Sequence, residues 1–170
     1  MQRVDWQGRQ ITIRPIRPED EPLMVKFHQT LSDRSVYLRY FAPLKLDQRI
    51  AHERLSRICF IDYDREMVLV VERRDPQTNE AEILGVGRLS KLHGANEAEF
   101  ALTVRDQWQR HGFGTQLLKL LVQVGRDEKL ERITATMLAD NHEMQHLARK
   151  VSFKVEHVLG GSEYRAEIVL

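Results

Sequence analysis

The amino-acid sequence predicts an α/β fold in which helices flank a mixed, partly antiparallel sheet. Three observations lead to this fold class: three strand-like segments follow one another in the middle of the chain, strand and helix alternate after them, and two more strand-like segments end the chain. Strands joined by short turns pair antiparallel, whereas a strand–helix–strand unit requires a parallel pair. A sheet that contains both kinds of pairing is therefore expected.

The first third of the chain predicts one strand followed by helices. Isoleucines alternate with polar residues over 9–17, which is typical of a strand. Pro18 and the acidic residues after it suit the first turn of a helix, which continues at helical spacing to Leu31. An irregular helical stretch is expected over 33–58, with a break at Pro43.

The middle of the chain predicts three strands in succession. Segments 66–73 and 83–92 are rich in β-formers and flank a turn signal at 75–80, so together they predict a hairpin. A third strand is expected over 96–104. Alternation along it gives two faces, one with Ala98, Phe100, Leu102 and Val104, the other with Glu97, Glu99, Ala101 and Thr103.

The last third predicts an amphipathic helix over 112–126, a strand over 133–138, a second helix over 141–151, and final strands over 152–158 and 164–169. No internal repeat, low-complexity tract or flexible linker interrupts the pattern. We therefore expect residues 1–170 to form a single domain.

Charge and cysteine content narrow the function classes. The 26 Lys and Arg residues nearly balance the 25 Asp and Glu residues, which argues against a dedicated nucleic-acid binder. Cys59 is the only cysteine, so neither an internal disulfide nor a cysteine-based zinc site is expected. No signal-peptide core and no run of ~20 apolar residues is present. These features favour a soluble, cytoplasmic protein with no membrane partner, and they leave its oligomeric state open.

Residues 109–115 (QRHGFGT) carry the strongest chemical signal. Two glycines, two positions apart, stand where the amphipathic helix begins, and they let several backbone N–H groups point at one ligand. The helix N-terminus adds a partial positive charge, so the segment predicts a phosphate or pyrophosphate site. Arg105, Arg110 and His111 could supply further donors.

The segment has three other interpretations. A P-loop would need Lys followed by Ser or Thr after the glycines, and neither pair is present. The dinucleotide-binding fingerprint would need a third glycine where Leu117 stands. A tight turn, with glycines that serve geometry alone, would be the better interpretation of an isolated Gly-x-Gly.

The surrounding sequence resembles a known family. QRHGFG fits the Q/R-x-x-G-x-G/A pattern of the GNAT acetyltransferases, and NHEMQHLARKVSF is similar to their N-x-x-A…Y-x-K-x-G-F segment, with Asn141, Lys150 and Phe153 in register. Within the family, TIRPIRPEDEPLM, LSDRSVYLRYF, DYDREMVLVV and AEFALTVRDQWQRHGFG are similar to the acetyltransferase domain of bacterial protein lysine acetyltransferases. In that branch the domain is often fused to an acyl-CoA-synthetase-like region or a regulatory module, and only the acetyltransferase domain is expected here.

This resemblance implies a GNAT-type fold and acetyl transfer from acetyl-CoA to an amine, most directly a protein lysine side chain. A small-molecule amine as acceptor, or a non-catalytic acyl-CoA sensor, are the alternatives. The cofactor-binding residues that the resemblance implies are Leu102 and Val104, through their backbone groups, together with Gln109, Arg110, His111, Gly112, Phe113, Gly114, Thr115 and Asn141.

A general base is needed because a lysine amine, with a pKa of about 10.4, is mostly protonated at neutral pH. Glu99 matches the position of the catalytic glutamate in the lysine acetyltransferase branch. On the pattern alone it is equally a solvated carboxylate on a polar strand face, and Glu97 is the reserve candidate. The tyrosine that many GNAT enzymes use as general acid is Ala148 here, and the glycine that usually follows the last helix is Ser152.

Two further groups of residues have both a functional and a plain interpretation. Tyr37, Tyr40 and Phe41 are expected either to line the acceptor site or to pack in the core. Residues 142–146 spell HExxH, the zinc-protease signature, but the apolar stripe of their helix places both histidines on the opposite side. We therefore expect these histidines to face solvent, and we predict no metal site. His28, on the first predicted helix, is likewise expected at the surface and not as a ligand.

Overall fold

The structure, a computed structural model, describes residues 2–6 and 9–170, with side chains from residue 11 onward. Its strands are β1 (Gln2–Trp6), β2 (Arg9–Pro15), β3 (Glu66–Arg74), β4 (Ala81–Lys91), β5 (Glu97–Val104), β6 (Arg132–Leu138), β7 (Lys154–His157) and β8 (Glu163–Val169). Its helices are α1 (Glu21–Gln29), α2 (Asp33–Tyr40), α3 (Leu46–Arg49), α4 (His52–Cys59), α5 (Phe113–Asp127) and α6 (His142–Lys150). Short 3₁₀ turns cover Pro18–Asp20 and Asp106–Trp108.

The strands form one sheet in the order β1-β2-β3-β4-β5-β6-β8-β7. Every neighbouring pair is antiparallel except β5 and β6, which are parallel. This arrangement confirms the predicted class, a mixed and partly antiparallel sheet with helices on its faces. In the part of the chain that the structure describes, no helix is both long and apolar enough to cross a membrane.

Two apolar cores lie on the two faces of the sheet. One core packs α5 and α6 against the sheet and includes Phe100, Leu117, Leu121 and Ile133. The other packs α1, α2 and α4 against the sheet and includes Phe27, Val36, Leu55, Val68 and Val70. The alternation predicted for β5 is confirmed in the first core, because Ala98, Phe100 and Leu102 are all buried there.

Several predicted boundaries are corrected. The helix expected from Pro18 begins with a 3₁₀ turn, and α1 proper starts at Glu21. The irregular helical stretch resolves into α2, α3 and α4. Phe41 follows the last residue of α2 and has a left-handed φ of 59°. The strand β1 was not expected, since its five residues have too little alternation to signal a strand. It forms because it pairs with the edge of β2, from Gln2↔Ile13 to Trp6↔Arg9.

The buried position of His28 also differs from expectation. A surface position was expected for this residue of the first helix, but its side chain is only 3% exposed. Burial, with the nearby charge of Arg54, lowers the pKa of His28 to about 3. The side chain of Arg49 donates a hydrogen bond of 3.0 Å to the backbone carbonyl of His28. Helices later in the chain therefore cover a position that the periodicity of α1 leaves outside.

Candidate active site

The sheet splits between its two parallel strands. β5 and β6 pair only through Glu97↔Arg132, Ala98↔Ile133 and Glu99↔Thr134. Beyond Glu99 the two strands have no paired residues, whereas β5 remains paired with β4 as far as Gly85↔Val104. A wedge-shaped gap therefore opens beside the second half of β5.

The backbone groups that face this gap can be assigned from two hydrogen bonds. The Arg105 amide donates to the carbonyl of Leu84 at 2.8 Å, and the Leu92 amide donates to the carbonyl of Glu97 at 2.9 Å. Odd-numbered residues of β5 thus bond toward β4. Since backbone groups alternate along a strand, those of Leu102 and Val104 point toward the gap. A ligand with amide groups could pair with this strand edge.

The gap widens into a cavity of about 800 Å³. Its walls come from α2, β5, β6, the segment before α5, the first turn of α5, and α6. A cavity of this size is within the range of small-molecule and cofactor sites. We divide it into two halves, named after the expected ligands. The donor half, toward α5 and α6, is where the sequence predicts acetyl-CoA. The acceptor half, toward α2, is where it predicts the amine.

The N-terminus of α5 opens into the donor half. Gly112 precedes the helix with a left-handed φ of 88°, and its carbonyl accepts a 3.0 Å hydrogen bond from the Gln116 amide. Glycine suits this backbone conformation, since a Cβ is disfavoured there. The amides of Gly114 and Thr115, in the first turn, have no acceptor within the helix. With the dipole of a 15-residue helix behind them, they are suited to bind an anion at the cavity wall.

Gly114 has a second role that the sequence did not reveal. Its backbone is helical, and a Cβ added to it would lie 2.7 Å from Cδ1 of Leu147 on α6. This glycine therefore lets α5 and α6 approach each other closely. The pair of glycines combines a left-handed backbone position with a close contact between two helices.

The predicted side-chain donors of the loop separate into different environments. Arg110 lies at the cavity, is 82% exposed and forms an ion pair of 2.9 Å with Glu143. The ring of His111 is exposed and lies 5.7 Å from the ring of Trp108. Arg105 is buried, with its guanidinium 3.6 Å from Glu82 and away from the cavity wall. The expectation that Arg105 supplements an anion site is therefore wrong, because it supports the loop from inside.

A hydrogen-bond network that was not predicted connects α2 to the loop. The Asp106 carboxylate accepts bonds from the backbone amide and hydroxyl of Ser32, at 3.0 and 2.7 Å, and from the hydroxyl of Ser35 at 3.1 Å. Nε2 of Gln109 donates to the Ser35 hydroxyl at 3.2 Å and to the Val104 carbonyl at 3.0 Å. The strand edge, the loop and α2 are thereby held in one arrangement.

The charge of Asp106 is stabilised by the same contacts. Partial burial alone would raise the pKa of Asp106, but the hydrogen bonds from Ser32 and Ser35 hold that pKa below its ordinary value. The only local signal in the sequence is Ser32, which caps α2 by accepting a bond from the Ser35 amide. A contact 74 residues away along the chain has no such signal.

Glu99 lies where β5 and β6 separate. Its side chain is exposed and lines the cavity, and within the described part of the chain it makes no hydrogen bond or ion pair. Glu97, two residues earlier, is half-buried with its carboxylate 3.0 Å from Nε of Arg132, and it does not reach the cavity. Of the two carboxylates, Glu99 is the one that a ligand in the cavity can reach.

Two residues of the α6 segment clarify the rest of the donor half. Asn141 lines the cavity and caps α6, with its side-chain oxygen accepting a 3.2 Å bond from the Met144 amide. Ala148, at the position of the tyrosine expected from the resemblance, is completely buried in the first core. Alanine has no group that could donate a proton, so this position contributes none to the cavity.

The three aromatic residues predicted for the acceptor site, at the end of α2, lie in different surroundings. Phe41 lines the cavity. Tyr40 packs with the second core, and its hydroxyl accepts a 3.0 Å bond from Arg54. Tyr37 is exposed and lies away from the cavity wall. Leu38 and Arg39, which sequence reasoning did not select, line the acceptor half instead.

The HExxH segment lies on α6 as expected, with both His142 and His146 exposed. Both histidines border the cavity. In the part of the chain that the structure describes, no three histidine, cysteine, aspartate or glutamate side chains are grouped so that they could hold a metal ion. Gln145, between the histidines, is buried and donates a 2.9 Å hydrogen bond to the Ala139 carbonyl.

The fold and the cavity together define an α/β domain whose split sheet faces a helix N-terminus, an arrangement suited to a ligand with both amide and phosphate groups. Residues 10–154 match the family model described as "Acetyltransferase (GNAT) domain". The match covers most of the chain, so the chain belongs to the GNAT acetyltransferases.

Individual relatives agree with this family. The chain is 26% identical over 147 residues to "Acetyltransferase PA5475" of Pseudomonas aeruginosa, covering 86% of this chain and 76% of that protein. The crystal structure of the GNAT domain of S. lividans PAT superposes with a TM-score of 0.84 at 25% identity, over 99% of this chain and 96% of that chain. Spermidine N-acetyltransferase from Vibrio cholerae, in complex with CoA and spermine, shares the fold with a TM-score of 0.69 at 20% identity, over 94% and 95%.

Proposed function

We propose that this chain is an acetyl-CoA-dependent N-acetyltransferase that transfers the acetyl group directly to an amine, a protein lysine side chain in the first instance. The observation that carries the proposal is the position of Glu99. This free carboxylate lies where the parallel strands separate, in the same cavity that receives the N-terminus of α5. An anion site, an open strand edge and a potential base therefore face one space.

The donor half supports acetyl-CoA as the acyl donor, which supplies an activated thioester. The amides of Gly114 and Thr115 would bind its pyrophosphate, helped by the α5 dipole. The backbone groups of Leu102 and Val104 would pair with the amides of its pantetheine arm. All four residues line the cavity that Glu99 also lines.

Glu99 would act as the general base. It accepts a proton from the acceptor ammonium, and the free amine then forms a bond to the acetyl carbon as the carbon–sulfur bond breaks. Holding amine and thioester together in one cavity contributes the larger part of the rate enhancement. Ala148 leaves the general acid unassigned, so water is our candidate for carrying the second proton from the acylated nitrogen to the departing thiolate.

A protein acceptor is favoured by the similarity, over nearly the whole length of both chains, to the GNAT domain of S. lividans PAT. The fold shared with a spermidine acetyltransferase keeps a small amine as the second candidate. The cavity is open to solvent on the α2 side, where Arg34 and Phe41 are exposed, so a side chain of another protein can reach it.

The test is to incubate the protein with labelled acetyl-CoA and either a cell extract or a panel of small amines, and to identify the labelled products. Label on lysine side chains of proteins is the expected result. Label only on small amines would select the second candidate. Binding of acetyl-CoA without any labelled product would contradict the enzyme and leave a sensor.

A further inference from the structure

The acceptor half of the cavity contains an arginine with no counter-charge. Arg39 is half-buried on α2 and lines the cavity, and its guanidinium packs over the neighbouring Tyr40 ring at 4.9 Å. Within the described part of the chain, it makes no hydrogen bond and no ion pair. The exposed side chain of Arg34, one turn earlier, also lines the cavity.

This lack of a partner sets Arg39 apart from similar side chains. The other buried or half-buried arginines whose side chains the structure describes each have a carboxylate or carbonyl partner; they are Arg14, Arg49, Arg54, Arg73, Arg88, Arg105 and Arg132. A buried charge without a partner is costly, and proteins normally provide one. At Arg39 the cavity is where such a partner would lie.

The surroundings of Arg39 increase its need for an anion. Burial, with the nearby charges of Arg88 and Arg54, lowers the pKa of Arg39. The closest carboxylate to Arg88 is Glu66, at 4.0 Å. A contact of that length neutralises little of the charge of Arg88. An arginine nevertheless keeps its proton at neutral pH, so the positive charge remains. Since no carboxylate of the described residues is paired with Arg39, a ligand in the cavity can supply the missing negative charge.

We infer that Arg39 binds a carboxylate carried by the acceptor, close to the amine that is acetylated. An acceptor with its amine at Glu99 and its carboxylate at Arg39 would meet one charge of each sign in the same cavity. The planar guanidinium fork matches the two oxygens of a carboxylate. The carboxylate could come from an acidic side chain beside a lysine or from a small amino acid. This inference rests on the proposed transferase activity for its reaction, but not for its binding.

The test compares matched acceptors. One pair consists of blocked peptides with a single lysine flanked by glutamate or by glutamine; the other pair consists of a small amino acid and its carboxamide. For wild-type protein, kcat/KM should favour the carboxylate member of at least one pair by about 10- to 100-fold, mostly through KM. In Arg39→Gln this ratio should fall to about one, and in Arg39→Lys it should be intermediate.

Arg57→Gln is the matched control, because it removes an exposed positive charge on α4 away from the cavity. Its ratio should equal that of wild type. Thermal unfolding and coenzyme A affinity show whether each variant is folded. Binding of the same acceptors to the protein with coenzyme A bound, measured by calorimetry, reads the charge preference even if no acceptor is acetylated.

The outcomes separate the two proposals. A preference in the peptide pair alone identifies a protein carboxylate, and one in the small-molecule pair alone identifies a small amino acid. Equal rates and equal affinities within both pairs would overturn the role of Arg39, as would a preference that survives Arg39→Gln. Charge-selective binding without any turnover would instead overturn the transferase and keep the carboxylate site.

Discussion

The two halves of the cavity are built from different groups. In the donor half the groups that a ligand can use belong to the backbone: the amides of Gly114 and Thr115 and the open edge of β5. In the acceptor half they belong to side chains, chiefly Glu99 and Arg39. A backbone site depends on φ and on helix packing, so most side-chain changes leave it intact. A side-chain site can be removed by replacing one functional group.

The largest effect is expected from Glu99→Gln, which keeps the size of the side chain and removes its ability to accept a proton. We expect kcat to fall by ~10²–10⁴-fold while acetyl-CoA affinity remains that of wild type. The remaining activity should rise with pH, because more of the acceptor amine is then deprotonated. Steady-state kinetics and calorimetry on the same samples measure both quantities.

Glu97→Gln provides the comparison for that variant. Glu97 is held by Arg132 and lies away from the cavity, so its replacement should change kcat far less. If Glu97→Gln loses as much kcat as Glu99→Gln, or if Glu99→Gln is as active as wild type, the assignment of the base is wrong.

The donor half should respond instead to a change of backbone preference. In Gly112→Ala the new Cβ meets nothing within 4 Å, so the φ of 88° is the only obstacle. A left-handed alanine costs about 1 kcal/mol, and relaxation of the loop should weaken acetyl-CoA binding about tenfold. Gly94→Ala is the matched control, with a φ of 74° and equally open space, but away from the cavity.

Both alanine variants should lose similar stability in urea unfolding, and only Gly112→Ala should lose affinity. Equal affinity of the two variants for acetyl-CoA would show that the conformation of Gly112 does not shape the donor site. The left-handed φ of Gly112 would then not be needed for binding the phosphates of acetyl-CoA.

A smaller effect is expected at the junction of the two halves. Asp106→Asn should lower the free energy of unfolding at pH 7 by at most about 1 kcal/mol, since the carboxylate is partly exposed and solvent screens its contacts. Because the folded-state pKa of Asp106 lies below its ordinary value of about 3.9, its stabilising effect is present above that value and is lost as pH falls through the folded pKa.

The difference in stability between wild type and Asp106→Asn should therefore shrink as the pH is lowered below about 4. Urea unfolding at pH 7 and at successively lower pH measures it. A difference that stays constant with pH would mean that the charge of Asp106 adds nothing to the contacts with Ser32 and Ser35.

The smallest effect is a gain in stability at the end of α6. Ser152 has a φ of 73°, and the amides of Phe153 and Ser152 donate to the carbonyls of Ala148 and Arg149, at 2.9 and 3.0 Å. This is a Schellman ending in which serine occupies the position that glycine prefers. Ser152→Gly should raise the free energy of unfolding by about 0.5–1 kcal/mol without changing kinetics. An unchanged or lowered midpoint of unfolding would contradict this.

Local patterns predicted most elements correctly. The alternation along β5 and the apolar spacing of α5 and α6 arise within a few residues, and each agrees with the structure. The sheet was expected to be mixed, and β5 and β6 form its parallel pair among the described strands. By contrast, β1 was missed because an edge strand exists through its partner, not through its own pattern.

Charged and polar side chains were predicted less well, because their roles depend on distant partners. Arg105 was expected at the anion site, but Glu82 on β4 holds it inside. His28 was expected at the surface, but later helices bury it. The sequence alone does not show which of the many possible side-chain contacts these residues make.

The order of strands and helices after β1, the glycine at the start of α5 and the face of β5 that carries Glu99 could all be predicted, since each depends on backbone preferences and periodicity over a few residues. Three features could be seen only in the folded chain: Asp106 bonds to Ser32, Gly114 lies against Leu147, and Arg39 has no counter-charge beside the cavity. These features arise from contacts between segments far apart in the chain, where the energy of a charge depends on what surrounds it and not on its neighbours in sequence.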